Sequence, residues 1–190
     1  MLSGFGHLEA FELDDEAREI ARRKMPVDVK PGMLPDKIPF APRTFDVVVA
    51  FDVIEHVEKD VESLARLREQ LVPGGRLVMT VPAFPWLWSK HDDTHHHYRR
   101  YTRRHLEQIL NQAGLRPVKL SYFNTLLFPL IVAVRFLKKL SGAQDSADDA
   151  MPSPMVNGAL KRIFGFERHF VGWLPLPVGV SLLAVAERPR

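Results

Sequence analysis

Residues 45–51 read FDVVVAF, an unbroken β-branched and aromatic run. Such runs belong to strands covered on both faces, as in a parallel sheet. Downstream, residues 60–72 place Val61, Leu64, Ala65 and Leu71 on one face of an amphipathic helix. Pro73-Gly74-Gly75 is expected to stop it before a second apolar strand, RLVMTVPA. A helix over residues 102–113 closes at Gly114, LRPVKLSYF follows as a strand, and VGVSLLAVAE supplies the last one. Upstream, LEAFEL (8–13) reads as a short buried strand. Asp14 or Asp15 then caps a helix that carries Ala17, Ile20 and Ala21 on one side and closes before Pro26. Residues 26–43 hold five prolines, leaving room for one short strand, VDV, before a long loop. Alternation of this kind predicts an α/β fold, with an open, mostly parallel sheet and helices on both faces.

The rhythm breaks over residues 124–172, where two helical stretches flank a polar segment, SGAQDSADDAMPSP, that reads as a flexible linker. The 190 residues are expected to form a single domain, 1–190, with this stretch as a helical insertion or lid. Cysteine is absent, which removes disulfide frameworks, thiolate zinc sites and cysteine nucleophiles together. The first residues have neither a basic start nor an apolar run. The longest apolar run, Leu126 to Val134, is interrupted by Pro129 and falls short of the ~18–20 residues of a membrane span. A cytoplasmic protein, at most touching a membrane surface, is the expectation. The net charge of +3 hides an asymmetry: residues 1–95 carry 12 basic and 17 acidic side chains, residues 96–190 carry 14 and 6. The basic half suits either an anionic partner or plain solvation. Aromatic and basic residues are not interleaved as RNA binding requires, so no nucleic acid is expected.

In open α/β sheets, ligands bind beyond the carboxyl ends of the strands. Glu12 ends the first visible strand, where a carboxylate either accepts hydrogen bonds from a ribose or caps the next helix. Asp52, Glu55 and His56 follow FDVVVAF at i, i+3 and i+4, so they face one way if a helical turn starts there. The alternative is that Asp52 caps the turn while His56 packs and bonds to backbone. The segment HDDTHHHYRRY (91–101) invites a metal assignment, but adjacent loop histidines cannot all point at one ion, and no metal is assigned. Arg99, Arg100, Arg103 and Arg104 could hold a phosphate or carboxylate, or could form a solvated helix start.

The succession FELDDEA, FDVVVAFDVIEHV, LVPGGRLVMTVPA and HYRRYTRRHLEQILNQAGL resembles the class I S-adenosylmethionine-dependent methyltransferases, and most of all their bacterial type 11 domains. The resemblance covers residues 4 to about 123 and the final strand, and implies S-adenosyl-L-methionine as cofactor. By position it makes Glu12 the ribose-binding acid and Leu13 its neighbour along the adenine. It sets Gly32 and Met33 beneath the adenine edge, Phe51 and Asp52 beside the methionine moiety, and His56 on the turn below. An aspartate is common in the family where this chain has Met33, leaving only backbone and apolar packing there. The last strand is expected antiparallel beside RLVMTVPA. The family's glycine-rich loop is expected roughly 20 residues before the acid. Glu12 stands too near Met1 for that, and Gly4 and Gly6 are too close to the strand, so the first strand and its loop are expected to be missing.

The function implied is methyl transfer to a small-molecule or lipid-linked acceptor, with Asp52 or His91 as the candidate base because both lie on crevice loops. One alternative is a non-catalytic remnant or fragment of such a domain. Another is a nicotinamide-dependent oxidoreductase, but the residues four beyond Tyr98, Tyr101 and Tyr122 are Thr102, His105 and Leu126, not the lysine a short-chain dehydrogenase needs. The insertion's two apolar and basic stretches read either as a lid that makes peripheral membrane contact or as helices packed into the core.

Overall fold

The computed structural model describes residues 4, 6–24, 27–40, 42–141, 153–171 and 173–190. Of the linker expected over residues 141–154, only Ser141, Ser153 and Pro154 lie within them. The chain divides into two compact units, residues 1–44 and 45–190.

In the first unit, strand β1 (Ala10–Glu12) pairs in parallel with β2 (Val29–Pro31), with Glu12 opposite Pro31. They are joined through helix α1 (Asp15–Lys24), whose first turn carries Asp15 and Glu16 and whose last turn carries Arg22, Arg23 and Lys24, each matched to the helix dipole. Asp14 Oδ1 accepts from Ala17 N at 2.7 Å, the cap expected there. The expected buried face does not form. No α1 side chain is buried, because the unit's core is instead the β-strand and proline-loop side, where Phe11 meets Phe40 edge-on at 5.8 Å.

The second unit is a four-stranded sheet in the order β3 (Phe45–Phe51), β4 (Leu71–Pro82), β6 (Ser181–Glu187), β5 (Arg116–Phe123). β3 and β4 run parallel. β6 is antiparallel to both β4 and β5, which makes β3, β4 and β5 co-directional with the last strand inserted against them. β6 therefore takes the place expected for it. A 3₁₀ turn (Ile54–His56) and helix α2 (Asp60–Glu69) connect β3 to β4. Helix α4 (Arg103–Gln112) leads into β5 after a short α3 (Lys90–Thr94). α2 packs on β4 and on α4, and α4 packs on β5. α4 begins on Thr102, whose hydroxyl accepts from His105 N at 3.1 Å. It ends at Gly114 with φ +75°, where any Cβ would collide with the Arg68 guanidinium. Helices α5 (Phe128–Ser141) and α6 (Pro154–Val171) fill the 124–172 stretch, and α6 lies against β5.

Two expectations need correction. Leu71 belongs to β4 rather than α2, and the Pro73-Gly74-Gly75 turn lies inside that strand as a bulge. Between Phe45↔Leu71 and Val47↔Arg76, β4 spends five residues where β3 spends two. β3 is a strand over the expected residues and stands at the edge of its four-stranded sheet, but the face that carries Val47, Val49 and Phe51 is uncovered, leaving them 53%, 37% and 48% exposed. β4, flanked on both sides, buries Leu77, Met79 and Val81 completely.

Candidate functional site

The carboxyl ends of the three co-directional strands are marked in the backbone. Asp52 just past β3, Phe84 just past β4 and Asn124 just past β5 all have positive φ, at +49°, +59° and +61°. For a bulky residue such as Phe84 this is a costly conformation, and such outliers gather at functional sites. Asp52 N is held by both the backbone oxygen (3.0 Å) and the hydroxyl (3.1 Å) of Thr80 on β4, so the turn after β3 is pinned while the Asp52 side chain is exposed. The Phe84 ring stacks on Tyr122 at 5.1 Å and meets Trp86 and Phe128 at 5.5 and 5.7 Å. An aromatic cluster therefore covers this end of the sheet and reaches the start of α5. Arg135 of α5 donates to the Leu87 carbonyl, and buried Glu167 of α6 accepts from Thr125 N at 2.9 Å.

Beside it, the histidine-rich segment is docked by a buried network. Asp92 is fully buried and closes a capping box with Ser89. Its carboxylate also accepts from Arg100 Nε at 2.7 Å and lies 2.9 Å from His97 Nδ1. Although burial opposes ionisation, the Arg100 hydrogen bond and charge hold its pKa below the usual carboxylate range. Arg100 donates its second bond to the Ala83 carbonyl at 3.2 Å. Next to it, Asp60 receives the Tyr101 hydroxyl at 3.2 Å and Arg99 Nη1 at 2.7 Å. Desolvation, then the Asp60 charge, pushes the Tyr101 phenol well above its ordinary range. Arg99 and Arg100, expected as anion ligands, are thus committed to internal carboxylates, while Arg103 and Arg104 are exposed on α4.

The Asp52, Glu55, His56 trio does not face one way. The turn that begins after Asp52 is a tighter 3₁₀ turn, which sends Glu55 inward and leaves Asp52 and His56 exposed. Glu55 is 1% exposed and its Oε2 has no hydrogen-bond partner. Burial pushes its carboxyl up to about 8, aided by Asp52 and Asp92 and opposed by its own backbone N–H and by Arg100. The His56 ring lies 4.6 Å from that of His97, edge to face. Desolvation of the His56 ring, then the neighbouring His97, pushes it below the ordinary imidazole range. His91 sits on α3 with its ring 4.2 Å from His95 and 6.3 Å from His97.

On the first unit, Glu12 Oε1 accepts from Leu13 N (2.8 Å) and Asp14 N (3.0 Å), so one carboxylate oxygen makes the turn into α1. Leu13 is exposed beside it. These features fit the ribose and adenine of the implied cofactor. Gly32 fits less well: the space where its Cβ would stand is filled by Phe11, the Lys37 carbonyl and Pro39, so its smallness serves internal packing. Met33 is half-buried and bridges backbone to backbone with Lys37. Sequence reading missed Glu55 as a buried acid and missed Asp92, His97 and Arg100 as one network. The available signal was the alternation of acid, imidazole and guanidinium over residues 92–100 with no apolar residue to bury in their place.

Comparison with known proteins points the same way. The profile of the family described as "Methyltransferase domain" matches residues 2–120. No curated protein sequence matches significantly. Among solved structures, a Bacillus halodurans protein described as a methyltransferase superposes with a TM-score of 0.60 at 16% identity, covering 95% of this chain and 82% of that one. A geranyl diphosphate methyltransferase solved with S-adenosylmethionine gives 0.59 at 15% identity, covering 95% and 68%. With the profile spanning more than half of its length, the chain belongs to the methyltransferase-domain family, the class I S-adenosylmethionine-dependent methyltransferases whose motifs its sequence carries.

Proposed function

We propose that the protein binds S-adenosyl-L-methionine and transfers its methyl group to a small-molecule or lipid-linked acceptor. The single observation that carries this is the set of positive-φ turns at Asp52, Phe84 and Asn124, with an exposed carboxylate and an aromatic cluster at the carboxyl ends of the strands of a methyltransferase-family chain. When bound, the cofactor supplies an activated sulfonium methyl group. The protein's own work is therefore to position the acceptor and exclude water.

In this reading Glu12 Oε2 takes the ribose hydroxyls, exposed Leu13 covers the adenine, and Gly32 and Met33 contribute backbone and apolar surface to the same base. Phe51 and Asp52 flank the methionine portion, and His56 lies on the turn below. Asp52 holds or removes the acceptor proton, with His91 as the other candidate. Residues 1–190 act as one methyltransferase domain, and the 124–172 stretch serves as its lid. Support for an apolar acceptor comes from that stretch: Leu130, Val134, Phe136, Leu137, Phe164 and Phe166 are all exposed, in a basic half of the chain. No helix among the described residues is long and apolar enough to cross a membrane.

Calorimetric titration of the full chain with S-adenosylhomocysteine tests the cofactor. One saturable site is expected, weakened by Glu12→Ala and unchanged by Glu16→Ala, an exposed acid one helical turn away. Absence of binding, or equal loss in both variants, overturns the assignment. Co-sedimentation with anionic vesicles tests the lid: the intact chain should pellet at low salt, and a version with residues 124–150 replaced by a Gly/Ser linker should stay in solution.

A further inference from the structure

We propose that Glu55, His56 and His97 form a binding site for a divalent transition-metal cation, zinc by the character of its donors. One ligand atom from each of the three lies within 4.8 Å of the others. Two imidazoles and one carboxylate are a donor set that binds zinc with a position left open. A tetrahedral ion with bonds of ~2.0–2.2 Å needs donors roughly 3.5 Å apart. The exposed His56 ring is the member free to rotate and close that difference.

Two independent features point to a ligand at this place. Glu55 is almost completely buried, and its Oε2 has no partner in the protein. A buried carboxylate oxygen left without a hydrogen bond is costly, and a cation beside it removes that cost. His97 also carries the outer partner that metal-bound histidines have. His97 Nδ1 lies 2.9 Å from Asp92 Oδ1, so it donates to a carboxylate and leaves Nε2 as the ring's acceptor atom. Asp92 is in turn fixed by Arg100 and Ser89. Asp92 is thus a positioning residue for the site. The chain bracing reaches the ligands directly: Tyr98 N donates to the Glu55 carbonyl at 2.8 Å, tying the two ligand-bearing segments together.

The test uses the full chain without a polyhistidine tag, stripped with a chelator and titrated with Zn²⁺ by calorimetry and with Co²⁺ by visible absorption. One equivalent should bind, with the intense d–d bands of a four-coordinate cobalt centre. Glu55→Gln and His97→Gln should each weaken binding by at least about tenfold, and Asp92→Asn by about 10–100-fold. His95→Ala, which removes an exposed neighbouring imidazole, should leave affinity unchanged. If the buried variants fold poorly by circular dichroism, the exposed His56→Gln decides the matter. No stoichiometric binding, unchanged affinity in His56→Gln, or a His95→Ala loss equal to that of His97→Gln overturns the site. These readouts do not involve methyl transfer, so their failure is separate from failure of the proposed function.

Discussion

Two neighbouring regions of the second unit invert the usual relation between hydropathy and burial. Residues 89–101, dense in histidine, aspartate and arginine, contain Asp92 at 0% exposure, Arg100 at 5% and Tyr101 at 0%. Helices α5 and α6 and the residues after them, rich in leucine and phenylalanine, leave Phe136 at 63%, Leu137 at 64% and Trp173 at 89%. The polar segment is buried because each polar group there meets a partner within the fold: Asp92 with Arg100 and Ser89, Asp60 with Arg99 and Tyr101. The apolar helices are held by two polar anchors, Arg135 on the Leu87 carbonyl and Glu167 on Thr125, together with the contact of Phe128 on Phe84. What decides burial here is completed hydrogen bonding rather than apolar content.

The sharpest way to break this comparison is to remove one member of the buried pair. Asp92→Ala leaves the Arg100 guanidinium buried without its counter-charge and should cost about 3–5 kcal/mol of folding stability, read from urea denaturation. Replacing both partners by apolar side chains, Asp92→Leu with Arg100→Met, should recover most of that loss, because the penalty comes from the orphaned charge. A single variant that unfolds like the parent would show that water reaches Arg100 and that the segment is not sealed.

A smaller effect is expected one residue on. Tyr101→Phe removes the 3.2 Å bond to Asp60 while the Arg99 pairing at 2.7 Å remains, so it should cost about 1 kcal/mol. Asp60→Asn should cost more, since it weakens both partners at once. The reverse order in thermal melts would mean that the Tyr101 ring packing, and not its hydroxyl, holds the segment.

How far these features were readable from sequence depends on how local their causes are. The FDVVVAF strand, the helix that starts near Thr102 and stops at Gly114, and the antiparallel last strand follow from nearby residues or from a motif, and each is found where it was expected. The β4 bulge was misread because Pro-Gly-Gly normally ends an element, and only pairing with β3 shows that the strand continues through it. β3 exposure was misread for a similar reason: a continuous apolar run reports the strand but not whether both of its faces are covered. Glu55 was expected to face the same way as Asp52 and His56 because its spacing fits an α-helical face, whereas the tighter 3₁₀ turn rotates it inward. Arg99 and Arg100 were candidate anion ligands because their carboxylate partners lie 39 and 8 positions away and are joined to them only by folding.

An exposed counterpart of the Asp92–Arg100 pair isolates burial as the variable. Glu187 on β6 accepts from Arg116 Nη2 at 2.8 Å on neighbouring β5, and Arg76 on β4 lies 3.9 Å away. The Arg116 hydrogen bond, followed by the charges of Arg116 and Arg76, holds its pKa below the ordinary range. A carboxylate with a lowered folded-state pKa contributes stability above its unfolded value, ~4.3, and loses it as pH falls through the folded value. Glu187→Gln should therefore flatten the acid side of the stability profile slightly, and salt should abolish the difference between variant and parent. A difference that persists in high salt would place this pair in a drier setting than its exposed arginines indicate.

The smallest stability effect is expected in the most hydrophobic place. Phe136→Ser with Leu137→Ser removes two large apolar side chains from α5, yet both are already in water, so folding stability should change by no more than about 0.5 kcal/mol. The same double variant should matter at a lipid surface. Each side chain is worth about 1.5–3 kcal/mol when it leaves water, so vesicle partitioning of the intact protein should fall by at least about tenfold, before any change in its basic residues. The two readouts separate the readings of the insertion. A loss of roughly 2 kcal/mol or more in stability would show that these side chains pack inside the protein. Unchanged stability with unchanged partitioning would remove the membrane contact and leave the exposed face to a soluble acceptor. Unchanged stability with lost partitioning is the expected result, because the α5 anchors to the rest of the unit, Phe128 on Phe84 and Arg135 on Leu87, lie outside the substituted pair.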